Sequence, residues 1–233
     1  LLVDITLHTA LEIGDEALLL AHNLPTIVAK NRAFGAKLAE KLGFSTIIMD
    51  DGLQNTTLYK DFNITVIDSK KGFGNGKLLP AGPLRESLNS GFAKTDAVII
   101  IGQQNLALEC LLPKHITFFY GKLIPQQTSL GGKKVVAFAG IGLPSKFIET
   151  LAELGADVVC FKAFADHKVY TDDEIIELLD LSQANNAVLV TTAKDAIKIN
   201  KKLLPQISVV SVELNISNFP KLYELINDKI EQK

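Results

Sequence analysis

Short runs of apolar and β-branched residues recur along this chain and alternate with stretches of helical periodicity. A strand covered on both faces has no polar side to show, so it reads as a continuous apolar run, and such strands belong to parallel sheets layered with helices. The runs at 46–49, 64–67, 97–101, 116–120, 135–139, 158–161, 188–191 and 209–212 are read as strands of this kind. Helices are expected between them. One covers 17–21 after the acids of Gly14-Asp15-Glu16, and one covers 32–42, capped by Asn31 and stopped by Gly43. Others cover 145–154, stopped by Gly155, then the stretch from a Thr171/Glu174 capping box to Leu181, a short turn from Lys194, and 223–230. Residues 1–13 have no clear period and read as a lead-in. The alternation predicts an α/β protein with parallel sheets. Prolines and glycines within 111–132 shift the composition, which predicts a lobe at 1–112, a connecting segment at 113–132 and a C-terminal α/β lobe at 133–233.

Composition narrows the classes of partner. At 233 residues the chain can bury a sizeable core, and its net charge of -2 with dispersed Lys and Arg argues against a nucleic-acid surface. Cys110 and Cys160 lie in apolar contexts without CxxC spacing and read as buried, reduced thiols. No apolar run approaches the ~20 residues that cross a bilayer, and the start lacks the basic segment of a signal peptide. Because the first residue is Leu1 and not Met, the sequence is expected to be part of a longer chain.

Several residues can carry chemistry. The run Ile47-Ile48-Met49 ends in Asp50, Asp51 and Gly52. At the C-terminal edge of a parallel strand, adjacent carboxylates suit Mg²⁺, which takes one or two of them beside waters and phosphate oxygens. An Asp before Gly is also an ordinary turn residue. A second run, 64–67, ends in Asp68 and enters Gly72-Phe73-Gly74-Asn75-Gly76, followed by Pro80, Gly82 and Pro83. Glycine lets such a loop approach a ligand and proline restricts its shape, and the loop then delivers Arg85 and Glu86. Arg85 can grip phosphate or sugar oxygens, or can sit solvated beside a structural turn. The third glycine falls one place early for GxGxxG, so a dinucleotide fingerprint is a poor reading. On the residues alone, Asp15 is an N-terminal helix acid, His167 is a structural histidine or a proton relay, and 191–198 caps a helix or contacts nucleotide.

The segments DDGLQ, GFGNG and LLPAGPLRE, in this order and spacing, resemble the tetraacyldisaccharide 4'-kinases, and the likeness extends from Gly14 to about Lys198. The resemblance implies a P-loop NTPase-like α/β/α sandwich, incomplete at its N-terminus, plus a smaller C-terminal α/β lobe. It implies transfer of the ATP γ-phosphate to the 4'-hydroxyl of the lipid A disaccharide precursor, at the cytoplasmic face of the bacterial inner membrane, with ATP and Mg²⁺ as cofactors. Asp15 would then be the general base, and His167 of the second lobe would pair with it when the lobes close. Asp50 and Asp51 would hold the metal, and Gln54 and Arg85 would contact nucleotide or head group. Two positions depart from the family pattern. Asn55 stands where the family has His and cannot act as a base, and Ala193 replaces the Glu of a TEKDAVK segment.

Kinases of this family hold the nucleotide phosphates with a P-loop, GxxxxGK[ST], which they carry upstream of the GDE segment together with an apolar membrane-associated helix. The present sequence contains no such motif: GFGNGK at 72–77 is one residue short and is followed by Leu78. The expectation is that residues 1–233 alone have little or no activity and that the first sheet shows exposed apolar edges. Two other readings use the same residues. One is a non-catalytic remnant or binding module of this fold, and the other is a Mg²⁺-dependent sugar-phosphate enzyme that works without ATP.

Overall fold

A computed structural model describes residues 1–126 and 129–231. In chain order, helices α1 (Ala10–Ile13), α2 (Asp15–Ala21) and α3 (Arg32–Lys41) precede β1 (Ile64–Asp68), α4 (Leu88–Phe92), β2 (Ala97–Ile101), α5 (Leu106–Glu109) and β3 (Thr117–Pro125). There follow β4 (Lys134–Ala139), α6 (Pro144–Glu153), β5 (Asp157–Ala163), α7 (Asp172–Ala184), β6 (Val188–Thr192) and α8 (Ala193–Ala196). The chain closes with β7 (Ser208–Val210), β8 (Val212–Ile216) and α9 (Phe219–Glu231).

The chain forms two compact units, each discontinuous in sequence. One comprises Leu1–Leu42 with Pro125–Val212, the other Gly43–Ile124 with Glu213–Lys233. The division therefore runs differently from a cut at 113–132: residues 1–42 pack with the C-terminal sheet. Side-chain pairs join them. Glu16 on α2 pairs with Lys194 at 2.9 Å, and Asp15 meets His167 at 3.0 Å, which ties α2 to α8 and to the turn after β5 in the same unit.

In the first unit the sheet order is β5-β4-β6-β7 with every neighbouring pair parallel. Its central strand β4 alternates two ways. Val136 and Phe138 pack with Tyr170, Ile175, Leu178 and Leu189, while Val135, Ala137 and Ala139 pack with Phe147, Leu151 and Val190. Both faces of the strand are thus buried, which is why it is apolar at every position after Lys134. Helix α7 begins with the expected capping box, in which the Thr171 side chain accepts from the Glu174 N–H and Glu174 reaches back to the Thr171 N–H.

In the second unit the sheet order is β1-β2-β3-β8, with β2 parallel to both β1 and β3. Strand β2 is its apolar centre: Val98 and Ile100 join a core with Ile67, Phe92, Leu108 and Ile116, whereas Ala97 and Ile99 join one with Phe119 and Leu222. Strand β1 is an edge, and its Val66 is 56% exposed, as expected for an apolar edge.

Several expectations are corrected. Residues 46–49 form no strand, and Ile47 and Ile48 are 48% and 85% exposed. An apolar run becomes a strand only where a neighbour offers a backbone ladder, and among the described residues none pairs with this one. The lead-in is not featureless either, since it contains α1 and an antiparallel bridge between Leu2 and Ile27. Cys110 is exposed, and both cysteines are free.

Candidate functional site

The unit built from 1–42 and 125–212 carries a carboxylate–imidazole pair. Asp15 opens α2, immediately after Gly14, whose φ of +91° is a backbone angle that L side chains rarely adopt. That turn starts a new helix with the Asp15 side chain directed inward, and Asp15 is 8% exposed. His167 lies 152 positions later, in the turn after β5, with a φ of +57°. His is among the residue types that tolerate this left-handed region, and a strained turn persists only where its surroundings fix it. Here Asp166 accepts from the His167 N–H at 3.0 Å. The imidazole Nδ1 is 3.0 Å from Asp15 Oδ2. A carboxylate only accepts, so Nδ1 carries the hydrogen of this bond, and Nε2 points elsewhere. Sequence reasoning anticipated the pair but gave it to two lobes; it is made within one compact unit.

Behind the pair lies the 191–198 stretch, for which the sequence offers a helix cap or a nucleotide contact. Thr192 does cap α8, accepting from the Asp195 N–H at 3.1 Å. Yet Asp195 is itself fully buried and accepts from the Gly140 N–H at 3.1 Å, the Tyr170 hydroxyl at 2.9 Å and the Thr192 hydroxyl at 2.7 Å. Burial, then the neighbouring Asp195 charge, pushes the Tyr170 phenol well above its usual range, so it remains a donor. Lys198, whose side chain is 2% exposed, lies 3.0 Å from Asp195 Oδ1 and 3.6 Å from Asp15 Oδ2. Lys194 donates a hydrogen bond to Glu16 at 2.9 Å. That hydrogen bond is the main cause that lowers the Glu16 carboxyl, while for Lys194 burial opposes the charge and the Glu16 bond raises it on balance.

The second unit gathers the DDGLQ and LRE segments. Asp50 and Asp51 sit in a turn and not at a strand end, and Asp51 has a φ of +48°. Arg85 reaches Asp51 across 34 positions at 2.6 Å, both side chains being more than half exposed. Gln54 donates to Glu86 at 3.0 Å, and Glu86 also accepts from Lys94 at 2.7 Å and Ser90 at 2.6 Å. Those contacts, Lys94 first and Ser90 next, hold the Glu86 carboxyl down to about 2. Sequence reasoning missed Glu86 as the hub of this cluster, although it stands in the LRE motif. Asn55 folds onto Thr57, accepting from its N–H at 3.1 Å and its hydroxyl at 2.8 Å, which is a turn-stabilising role. The glycine loop behaves as its composition predicts: Gly74 has a φ of +59°, and a Cβ there would lie 2.7 Å from Pro83 Cγ. Asp51, Gln54, Asp68, Phe73, Arg85 and Glu86 are among the residues lining a cavity of about 360 Å³ within this unit.

The residues fit a Mg²⁺ ion only in a limited way. Among the described residues no three His, Cys, Asp or Glu side chains converge to cage a metal. Two adjacent carboxylates match an ion that brings phosphate oxygens and waters of its own, although Asp51 is engaged by Arg85. Among the described residues, no helix is long and apolar enough to cross a membrane.

A mixed α/β protein with parallel sheets that carries a hydrogen-bonded carboxylate–imidazole pair has an architecture common among enzymes. The family can be stated more narrowly. Residues 1–231 match the family model described as Tetraacyldisaccharide-1-P 4'-kinase, and the chain belongs to that family of kinases. It is 43% identical to the tetraacyldisaccharide 4'-kinase of Rhodospirillum rubrum over 98% of this chain and 70% of that one. It is 42% identical to the tetraacyldisaccharide 4'-kinase of Paramagnetospirillum magneticum over 98% of this chain and 71% of that one. The crystal structure of the "apo" form of LpxK from Aquifex aeolicus in complex with ATP superposes with a TM-score of 0.71 at 27% identity, covering 96% of this chain and 71% of that one.

Proposed function

We propose that this protein transfers the γ-phosphate of ATP to the 4'-hydroxyl of tetraacyldisaccharide 1-phosphate, a step of lipid A biosynthesis. The observation that carries the reading is the Asp15–His167 bond. In this reading Asp15 accepts the proton of the sugar hydroxyl as its oxygen attacks phosphorus, and His167 holds the carboxylate in the orientation that makes it able to do so. Phosphoryl transfer needs little covalent help from the protein, so the positioning of the hydroxyl and the neutralisation of phosphate charge supply most of the acceleration. Asp50 and Asp51 would hold Mg²⁺, which when bound neutralises charge on the transferring phosphate. Gln54 and Arg85 would orient nucleotide or head-group oxygens, with Glu86 fixing Gln54. The acyl chains of that substrate and the use of ATP fit a reaction at the cytoplasmic face of the bacterial inner membrane.

The sequence lacks GxxxxGK[ST], and residues 1–233 by themselves are therefore expected to be inactive. The test is phosphate transfer from γ-labelled ATP to tetraacyldisaccharide 1-phosphate by the protein expressed from its complete reading frame. Labelled lipid that disappears in the Asp15→Asn variant supports the reading. Absence of transfer, or full transfer by Asp15→Asn, overturns it; the first result would favour a non-catalytic binding module.

A further inference from the structure

Among the described buried side chains, Lys198 is the one whose terminal nitrogen has no hydrogen-bond partner. Its nearest charges are nonetheless close: Asp195 Oδ1 at 3.0 Å and Asp15 Oδ2 at 3.6 Å, with the face of the Tyr170 ring 5.6 Å from the ammonium. The contacts are charge to charge: the approach to Asp195 is off the hydrogen-bond direction, and the approach to Asp15 is longer than a hydrogen bond. Burying an ammonium in this way is costly, and replacing a buried ion pair by apolar groups is often neutral or stabilising. A group kept under those terms calls for an explanation beyond stability.

The surroundings supply one. Asp195 is immobile, because the Gly140 N–H, the Tyr170 hydroxyl and the Thr192 hydroxyl all bind its carboxylate. It therefore fixes the position of the Lys198 ammonium, which has no other carboxylate within 4 Å among the described residues except Asp15. On Asp15 both the ammonium and the His167 Nδ1 fall on the same oxygen, Oδ2. Among the described residues nothing bonds Oδ1.

We propose that Lys198 is a positioning residue: anchored by Asp195, its ammonium holds Asp15 Oδ2 in place and leaves Oδ1 as the oxygen that takes the acceptor proton. The second half of this statement rests on the reading of Asp15 as the base. The first half does not. His167 restrains Asp15 from the exposed side, with 54% of its side chain accessible, and Lys198 restrains it from the interior. A chain Asp195–Lys198–Asp15–His167 thus runs from the buried side of α8 to the surface.

Lys198→Met alone would leave Asp195 buried without a counter-charge and is liable not to fold. The informative variant is Asp195→Asn with Lys198→Met, which removes both charges together and keeps the shapes. In residues 1–233 labelled with ¹⁵N, the Nδ1–H of His167 is read directly by NMR, and amides elsewhere report whether the fold is kept. The double variant is expected to lose the hydrogen-bonded Nδ1–H signal while the amide spectrum of β4 and α7 persists. In the protein from the complete reading frame, kcat is expected to fall on the order of 10²-fold with KM for ATP and lipid unchanged, the signature of a misplaced group and not of lost binding. An unchanged Nδ1–H signal together with an unchanged kcat overturns the proposal. If the signal is lost while Asp15→Asn retains full kcat, the positioning stands and the reading of Asp15 as the base falls.

Discussion

Glu86→Gln offers a quantitative test of the second unit. The side chain keeps its shape and can still bond Ser90 and Gln54, so the variant removes chiefly the charge that faces Lys94 at 2.7 Å. Lys94 first, then Ser90, lowers the Glu86 carboxyl from 4.5 to about 2. A folded-state value below the unfolded one means that the ionised form favours folding. The contribution is complete above pH 4.5 and is lost as pH falls toward 2. Taken at face value the shift corresponds to roughly 3 kcal/mol, at about 1.4 kcal/mol per unit. The Lys94 side chain is 37% exposed, and solvent screening reduces the figure to about 1–2 kcal/mol. The assay is urea unfolding followed by far-ultraviolet circular dichroism, since the chain has no Trp to report by fluorescence. At pH 7 the variant should be less stable by that amount, and the gap should narrow steadily between pH 4.5 and pH 2. A gap that is constant with pH, or that widens in acid, would refute the assignment of the stability to the Glu86 charge.

Asp15→Asn should lower kcat by about 10²–10⁴ with the circular dichroism spectrum unchanged, the range lost when a positioned general base is removed. Arg85→Ala breaks an exposed pair with Asp51 and should change unfolding free energy by less than about 1 kcal/mol; a large rise in KM for ATP or lipid beside that small change would mark Arg85 as a ligand-binding residue. Phe138→Ala empties the centre of the first unit and should destabilise it by about 3–5 kcal/mol in urea titrations. Gly74→Ala forces a left-handed angle on a residue with a Cβ and a contact with Pro83, and should shift the melting transition down by an amount worth roughly 1 kcal/mol or more.

Much of the fold was legible because parallel strands covered on both faces have no polar side to confuse the pattern. Ala97–Ile101 is the clearest case, and the same run of residues forms β2. The run at 46–49 has equally apolar chemistry and failed as a strand, since composition reports what a segment could bury and not whether a neighbour pairs with it. The site was legible to the extent that short motifs carried it. Asp15 and His167 were singled out from motifs far apart in sequence, and they bond. Asp195 and Lys198 belong to a stretch whose pattern fits either a nucleotide contact or, in the other reading, a helix cap. That reading was true of Thr192 and blind to burial, because nothing in a local pattern distinguishes an acid that caps from one that is walled in by Tyr170 and Gly140. Glu86 escaped for the converse reason: its importance comes from Lys94, Ser90 and Gln54 meeting it, which is a property of the fold around it.

The discontinuity of the units bears on how the protein is made. Residues 1–42 leave the ribosome well before the Pro125–Val212 segment that completes their unit, whose end lies roughly 170 residues later. At synthesis rates of about 5–20 residues per second, residues 1–42 wait on the order of ten to thirty seconds before that segment is complete. The intervening 43–124 segment, whose β1, β2 and β3 are consecutive parallel strands, can assemble most of its own sheet during that interval. Residues 1–42, whose Leu18 is buried in the finished unit, are the stretch for which a holding chaperone would compete during that wait.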